Sequence, residues 1–99
     1  MPVFNFVRRS FYQDSVTLMR LTRELESRPG VRRAAVMMGT PANRALLAEA
    51  GLLAGDGAGA APADLIVAVV ADDEATATAA REAAEEARDV AARLEEQLD

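Results

Sequence analysis

The run Leu65–Ala71 (LIVAVVA) decides the fold of this 99-residue chain, because every one of its side chains is apolar. A strand with one face in water alternates apolar and polar residues, whereas a continuous apolar run is typical of a strand covered on both faces. It also suits the central position of a sheet. The run therefore predicts a strand around which the other elements are arranged.

Two more strands and three helices are predicted on either side of this strand. Asp14 and Thr40 are good N-cap residues, and Pro29-Gly30 and Gly51 mark helix ends. The predicted strands are Val3–Arg9 and Val31–Met38, and the helices run from Ser15 to about Ser27, from Pro41 to Ala50 and from Glu74 to about Leu98.

The resulting order, β-α-β-(short α)-β-α, fits two topologies. In one, the third strand inserts antiparallel between the first two; in the other, a doubly wound sheet, all strands are parallel. A ten-residue helix is short for a parallel crossover. We therefore predict an α+β, ferredoxin-like two-layer sandwich with helices on one face and a mixed three-stranded sheet whose third strand is central. Residues 1–99 form one domain, with a flexible loop at about 53–63 and a long C-terminal helix at about 73–98.

Helical spacing predicts which side chains enter the core. They are Leu18, Met19, Leu21, Thr22 and Leu25 in the first helix, Leu46 and Leu47 in the second, and Ala75, Ala79 and Ala83 in the third.

The last helix should extend beyond the sheet. A helix of ~25 residues spans roughly 37 Å, against about 25 Å for a strand of seven or eight residues. Val90, Leu94 and Leu98 recur at every fourth position in this extension. We expect them to contact a partner domain or to form a homo-oligomer.

Composition excludes several classes of function. The chain has no cysteine and no histidine, its net charge is −5, and 51% of its residues are hydrophobic. No thiol or imidazole chemistry is available, and no catalytic or metal-ligating residues are predicted. No basic, aromatic-interleaved motif for nucleic acid is present. Neither a secretory signal nor a membrane-spanning run is found, so we expect a cytoplasmic protein.

One turn has the features of an anion site. Gly39 follows an apolar strand and can adopt backbone angles that a residue with a Cβ avoids. The N–H groups of Ala42 and Asn43, the Thr40 cap and the nearby Arg44 would then surround a phosphate or carboxylate. The alternative is an ordinary capped helix start with no ligand.

Two motifs stand out. The first is Phe11–Met19 (FYQDSVTLM), and the second is Val36–Asn43 (VMMGTPAN), followed by Ala45–Leu47, Gly51 and Asp64. Together they resemble the N-terminal region of the FdrA family of acyl-CoA synthetase-like proteins, and the resemblance covers roughly residues 3 to 72.

The resemblance gives no role to three residues of the first motif, Tyr12, Asp14 and Ser15. Asp14 and Ser15 form either an acid–hydroxyl pair in a site or the N-cap of a helix, and the cap is the commoner arrangement. Tyr12 either faces a ligand or packs at the corner between strand and helix, and we favour packing.

The resemblance implies a function in a larger enzyme. Full-length FdrA-like proteins continue into domains similar to succinyl-CoA synthetase, which handle CoA or nucleotide and acyl groups. Some are associated with carbamoyl transfer from oxalurate to give oxamate in allantoin breakdown, alongside companion subunits. This chain itself would hold no cofactor and would contribute assembly, with an anionic acyl or carbamoyl ligand at the Gly39 turn. The alternatives are a stand-alone regulatory or ligand-binding module and a subunit that joins separately encoded catalytic chains.

Overall fold

The computed structural model describes residues 2–82 of the chain. The predicted bounds of the second and third strands are confirmed to the residue, and the first strand and the first two helices end within one residue of their predicted ends. In chain order the elements are β1 (Val3–Arg8), α1 (Ser15–Glu26), β2 (Val31–Met38), α2 (Pro41–Glu49), a 3-10 helix (Gly55–Gly59), β3 (Leu65–Ala71) and α3, which is described over residues 74–82.

The sheet has the order β1-β3-β2, which confirms the ferredoxin-like α+β arrangement and excludes the doubly wound alternative. β3 runs antiparallel to both neighbours, with Val67 opposite Phe6 on one side and Val36 on the other. The prediction of a mixed sheet is wrong in this respect. β1 and β2 are parallel to each other, but β3 separates them, so no parallel pair is hydrogen-bonded.

Both faces of the sheet are covered, and every residue of β3 is buried. Leu65, Val67 and Val69 pack on one face with Leu21 and Leu25 of α1 and with the buried residues of α3. Ile66, Ala68 and Val70 pack on the opposite face, against the layer that contains α2. The prediction of helices on one face therefore holds for α1 and α3 but not for α2.

The second layer is formed by α2 and the segment that follows it. Leu47 and Leu52 are buried against Ile66 of β3. Beyond them, the predicted loop at about 53–63 contains the 3-10 helix, and its Gly57 lies against the Asn5 side chain. Asn5 Nδ2 donates to the carbonyl of Leu52 (2.8 Å), and Asn5 Oδ1 accepts from the N–H of Ala54 (2.9 Å). One polar side chain of β1 thus holds this segment against the sheet.

The predicted faces of three helices need correction. Met19 and Leu46 are each 56% exposed instead of lying in the core, because Leu21, Leu25 and Leu47 already fill the space beneath α1 and α2. In α3, Ala77 and Ala80 are buried, whereas the predicted Ala75 and Ala79 are exposed. An alanine-rich helix has no unique apolar stripe, so its rotation is set by packing and not by its own pattern.

The rest of the predicted C-terminal helix lies outside the described residues, and so do Ala83, Val90, Leu94 and Leu98. Their roles stay predictions. Between residues 2 and 82, no helix combines the length and apolarity needed to cross a bilayer.

Leu25→Ala should be strongly destabilising. Leu25 is fully buried between α1 and the sheet, and removing its side chain leaves a cavity that costs about 2–5 kcal/mol in the free energy of unfolding. Urea denaturation followed by circular dichroism measures the change. Glu24→Ala, at the exposed neighbouring position, is the matched control and should change the free energy by less than about 0.5 kcal/mol. Equal stability of the two variants would contradict the packing described for α1.

Candidate functional site

The turn after β2 requires glycine because of close packing, not because of its backbone angles. The Gly39 N–H donates to the carbonyl of Asp64 (2.7 Å). A Cβ at Gly39 would lie 2.5 Å from the carbonyl oxygen of Ala61. Gly39 does not use the wider range of backbone angles open to glycine: among the described glycines, positive φ occurs at Gly30, Gly51 and Gly55. Gly39 therefore allows residues 60–61 to pass directly over the turn.

The start of α2 is capped as predicted. Thr40 is the N-cap, and its hydroxyl accepts a hydrogen bond from the Asn43 N–H (3.2 Å). Pro41 occupies the first turn, where an N–H group is not needed. The Asn43 side chain turns back and donates to the carbonyl of Met38 (3.0 Å). The Asn43 N–H, one of the two backbone donors predicted to bind an anion, therefore donates to the Thr40 hydroxyl instead.

The Arg44 side chain also bonds within the protein. Its Nε donates to the carbonyl of Gly39 (3.2 Å), and its Nη1 donates to the carbonyl of Ala58 (3.3 Å). Arg44 thus links the turn to the 3-10 helix. The structure does bring Gly39, Thr40, Ala42, Asn43 and Arg44 together, with Ala42 exposed, but much of their donor capacity holds the turn itself. Anion binding here stays a prediction.

Asp64 connects three segments at this end of the sheet. Its side chain is buried, with Oδ1 accepting from the Ser10 N–H (2.8 Å) and Oδ2 from the Ala61 N–H (2.9 Å). The exposed Arg9 guanidinium lies 3.7 Å from Oδ2. The two backbone N–H donors lower the pKa of Asp64 below its ordinary value of 3.8, with a smaller contribution from Arg9.

The β1–α1 loop depends on this carboxylate. Ser10 has a φ of 50°, the one positive φ found at a non-glycine residue between positions 2 and 82. The hydrogen bond from the Ser10 N–H to Asp64 holds this strained conformation. The Phe11 N–H adds a bond to the carbonyl of Ala63 (2.9 Å). Asp64 therefore positions the start of the motif Phe11–Met19.

Asp14 caps α1, as the commoner of the two interpretations predicts. Its carboxylate accepts from the N–H groups of Val16 (3.1 Å) and Thr17 (3.3 Å) and from the Thr17 hydroxyl (2.5 Å). The Thr17 hydroxyl is the largest cause of the lowered pKa of Asp14. Ser15 begins the helix and is exposed, and Tyr12 is 76% exposed. The packing predicted for Tyr12 at this corner is therefore wrong.

An apolar groove runs along α1 beside β2. Leu18, Met19 and Thr22 of α1 and Val36 of β2 line a volume of about 380 Å³, with Arg23 and Glu26 at its end. The Thr22 hydroxyl accepts from the Val36 N–H (3.2 Å), which holds the helix against the strand. Met19, predicted to be in the core, instead forms part of this open surface.

Two structural residues of the site carry little signal in the sequence. Asn5 is a polar residue within an apolar strand, which indicates that its side chain has a hydrogen-bond partner. The sequence does not identify the partners, because they are the backbone groups of Leu52 and Ala54, which are 47 and 49 positions away. Asp64 belongs to the family resemblance, yet its acceptor role depends on Ser10, 54 positions earlier. Neither contact follows a local sequence pattern.

Comparison with known proteins identifies one family. A family model described as "AllF, heavy metal-associated domain" matches residues 1–97. That description names neither FdrA nor an acyl-CoA synthetase. No solved structure matches the chain.

The residues present do not fit a heavy-metal centre. Soft metals select thiolate and thioether ligands, and imidazole is the other common ligand, but the chain contains no cysteine or histidine. Met37 and Met38 belong to opposite faces of the sheet, so these thioethers do not converge. Within residues 2–82, no group of three cysteine, histidine, aspartate or glutamate side chains could hold a metal ion.

Gly39→Ala should destabilise the protein by about 1–3 kcal/mol, the usual cost of overpacking, because the new methyl group meets the Ala61 carbonyl. Gly59→Ala is the matched control. A Cβ there meets nothing within 4 Å, so we expect a change of less than about 0.5 kcal/mol. Denaturation by urea measures both variants. If Gly39→Ala were as stable as Gly59→Ala, residues 60–61 would not lie tightly against the turn.

Asp64→Asn should reduce the acid sensitivity of folding. Because the folded-state pKa of Asp64 is lowered, its stabilising contribution is complete above pH 3.8 and is lost as the pH falls through the folded-state value. The difference in unfolding free energy between wild type and Asp64→Asn should therefore be largest near neutral pH and shrink below pH 3.8. Urea titrations at a series of pH values measure this difference. A gap independent of pH would show that the carboxylate charge is not involved.

Proposed function

This chain belongs to the family of AllF heavy metal-associated domains, and we propose that it is an assembly domain of an allantoin-pathway enzyme. In this proposal it docks onto CoA-ligase-like domains of an FdrA-like acyl-CoA synthetase or carbamoyltransferase. Its contribution is to bind those domains, not to hold a metal or to carry out the reaction.

The observation that carries the proposal is where the exposed apolar side chains lie. Among the described residues, the large hydrophobic side chains that are exposed are Tyr12, Val16, Met19 and Leu46. All of them fall in the two motifs and the short run after the second that resemble the FdrA family. Leu46 lies on α2, on the other face of the sheet, but Val16 and Met19 are three residues apart on α1 and are therefore neighbours. Exposed apolar side chains that neighbour each other mark interaction surfaces. The motifs that carry the resemblance thus contribute to a surface and not only to the core.

The groove along α1 supports the same proposal. Its floor is apolar, formed by Leu18, Met19 and Val36, and its end carries the charged residues Arg23 and Glu26. An apolar centre with a polar rim is the usual anatomy of a protein–protein interface. Met19 lies in this groove and is more than half exposed, so a partner that fills the groove would bury it.

We assign the acyl or carbamoyl ligand, and CoA or nucleotide, to the partner domains. The Asn43 N–H and the Arg44 guanidinium bond to groups of the same chain. An anion at the Gly39 turn would have to compete with those bonds, so docking is the function that the geometry supports better.

Met19→Glu should weaken docking. The 99-residue chain is mixed with CoA-ligase-like domains expressed separately from the same genome, and the dissociation constant is measured by isothermal titration calorimetry. The wild-type chain should form a one-to-one complex. Placing a carboxylate in the apolar groove should raise the dissociation constant at least about tenfold.

Arg20→Glu is the control, because Arg20 is exposed on the same helix but does not line the groove. It changes the charge more than Met19→Glu does and should still bind like the wild type. Equal weakening by both variants would indicate a general charge effect and contradict the groove as the interface. Absence of wild-type binding at about 100 μM would overturn the proposed function and favour a stand-alone module.

A further inference from the structure

The two outer strands of the sheet differ in how their outward backbone groups are satisfied. On β2, the Val36 N–H is bonded by the Thr22 hydroxyl, and the Met38 carbonyl is bonded by the Asn43 side chain. α1 and α2 thus each place a side chain against the outer edge of β2. An added strand cannot pair there without breaking these bonds.

The register identifies the outward groups of β1. Val36 and Phe6 both lie opposite Val67 of β3. Because the Val36 N–H points away from β3, the Val36–Val67 pair is not hydrogen-bonded, and Val67 exchanges its bonds with Phe6 instead. Alternation along β1 then directs the backbone N–H and C=O groups of Val3, Asn5 and Val7 away from the sheet.

Among residues 2–82, no group covers these outward positions of β1 as Thr22 and Asn43 cover those of β2. Within the described part of the chain, no side chain hydrogen-bonds to the backbone of Val3, Asn5 or Val7. The Asn5 side chain is occupied with Leu52 and Ala54, and Leu52 packs on one face of the sheet. Proline within the strand would protect such an edge, but Val3–Arg8 contains none.

We propose that β1 pairs with β1 of a second copy of this chain, antiparallel and about a two-fold axis at Asn5, to give a continuous six-stranded sheet. In this register Val3 lies opposite Val7 of the second copy, and the two Asn5 residues lie opposite each other. Each of these pairs exchanges both backbone hydrogen bonds.

The side chains of β1 make this pairing self-complementary. Phe4 lies opposite Phe6 of the second copy on one face, and Val3 lies opposite Val7 of that copy on the other. Phe4, Phe6, Val3 and Val7 are all half-buried in the single chain, so they have apolar area left to bury. Aromatic and β-branched cross-strand pairs stabilise antiparallel sheets. A second copy therefore matches this edge on both faces. This pairing is independent of the groove along α1 and of the docking proposed there.

Val7→Pro tests the pairing. It removes an outward N–H that makes no bond to β3, and proline is tolerated at such positions of an edge strand. Sedimentation equilibrium of the 99-residue chain at concentrations up to about 1 mM should give twice the chain mass of 10.5 kDa for wild type. The Val7→Pro chain should remain at the single-chain mass throughout. Ala34→Pro, at an outward position of β2, is the control and should still dimerise.

Two results would overturn the proposal: a wild-type chain that stays monomeric at the highest concentration, or a Val7→Pro chain that is folded and still dimeric. If dimerisation is lost in Met19→Glu but kept in Val7→Pro, the groove along α1 is the dimer contact instead. If Val7→Pro does not fold by circular dichroism, hydrogen exchange of the wild-type chain decides instead. The amides of Val3, Asn5 and Val7 should exchange at least tenfold more slowly at high protein concentration than at low. Exchange that does not depend on concentration excludes the pairing.

Discussion

Complete burial of β3 is the constraint on which the rest of the structure depends. A strand with apolar side chains on both faces must be covered on both, and its backbone groups must be paired on both sides. β1 and β2 supply the pairing, α1 and α3 cover one face, and α2 with the 3-10 helix covers the other. Each of these other elements therefore either pairs with the backbone of β3 or covers one of its faces.

The two covering layers meet that requirement by different means. Under α1, leucine and valine side chains fill the space, as in most protein cores. On the other face, the covering segment is held by close backbone contacts and by hydrogen bonds from individual polar side chains. Gly39 and Gly57 allow the close approach. Asn5, Arg44 and Asp64 bond to backbone groups of the segment. Substitutions on this second face act through geometry and hydrogen bonds more than through lost apolar area.

Structural features that depend on the residues of one segment could be predicted from the sequence. Features that depend on contacts between distant segments could not. The bounds and central position of β3 follow from its apolar run, and Asp14 and Thr40 were recognisable caps because their partners are three residues away or fewer. The exposure of Met19 could not be predicted, since it depends on how α1 is rotated over β2. The role of Asp64 could not be predicted either, because one of its donors is 54 positions away.

The antiparallel register of β1 with β3 also affects how the protein folds. Val3 lies opposite Val70, so the central pairing cannot form until synthesis has passed β3. α1 and β2 can associate earlier, but β1 and β2 then have no strand between them, and their apolar faces stay in contact with water. Contacts between residues so distant in sequence slow folding, and unpaired strand edges favour aggregation during the delay. The apolar faces of β1 and β2 therefore stay exposed to water until the last residues of β3 have been synthesised and β3 can pair with both strands.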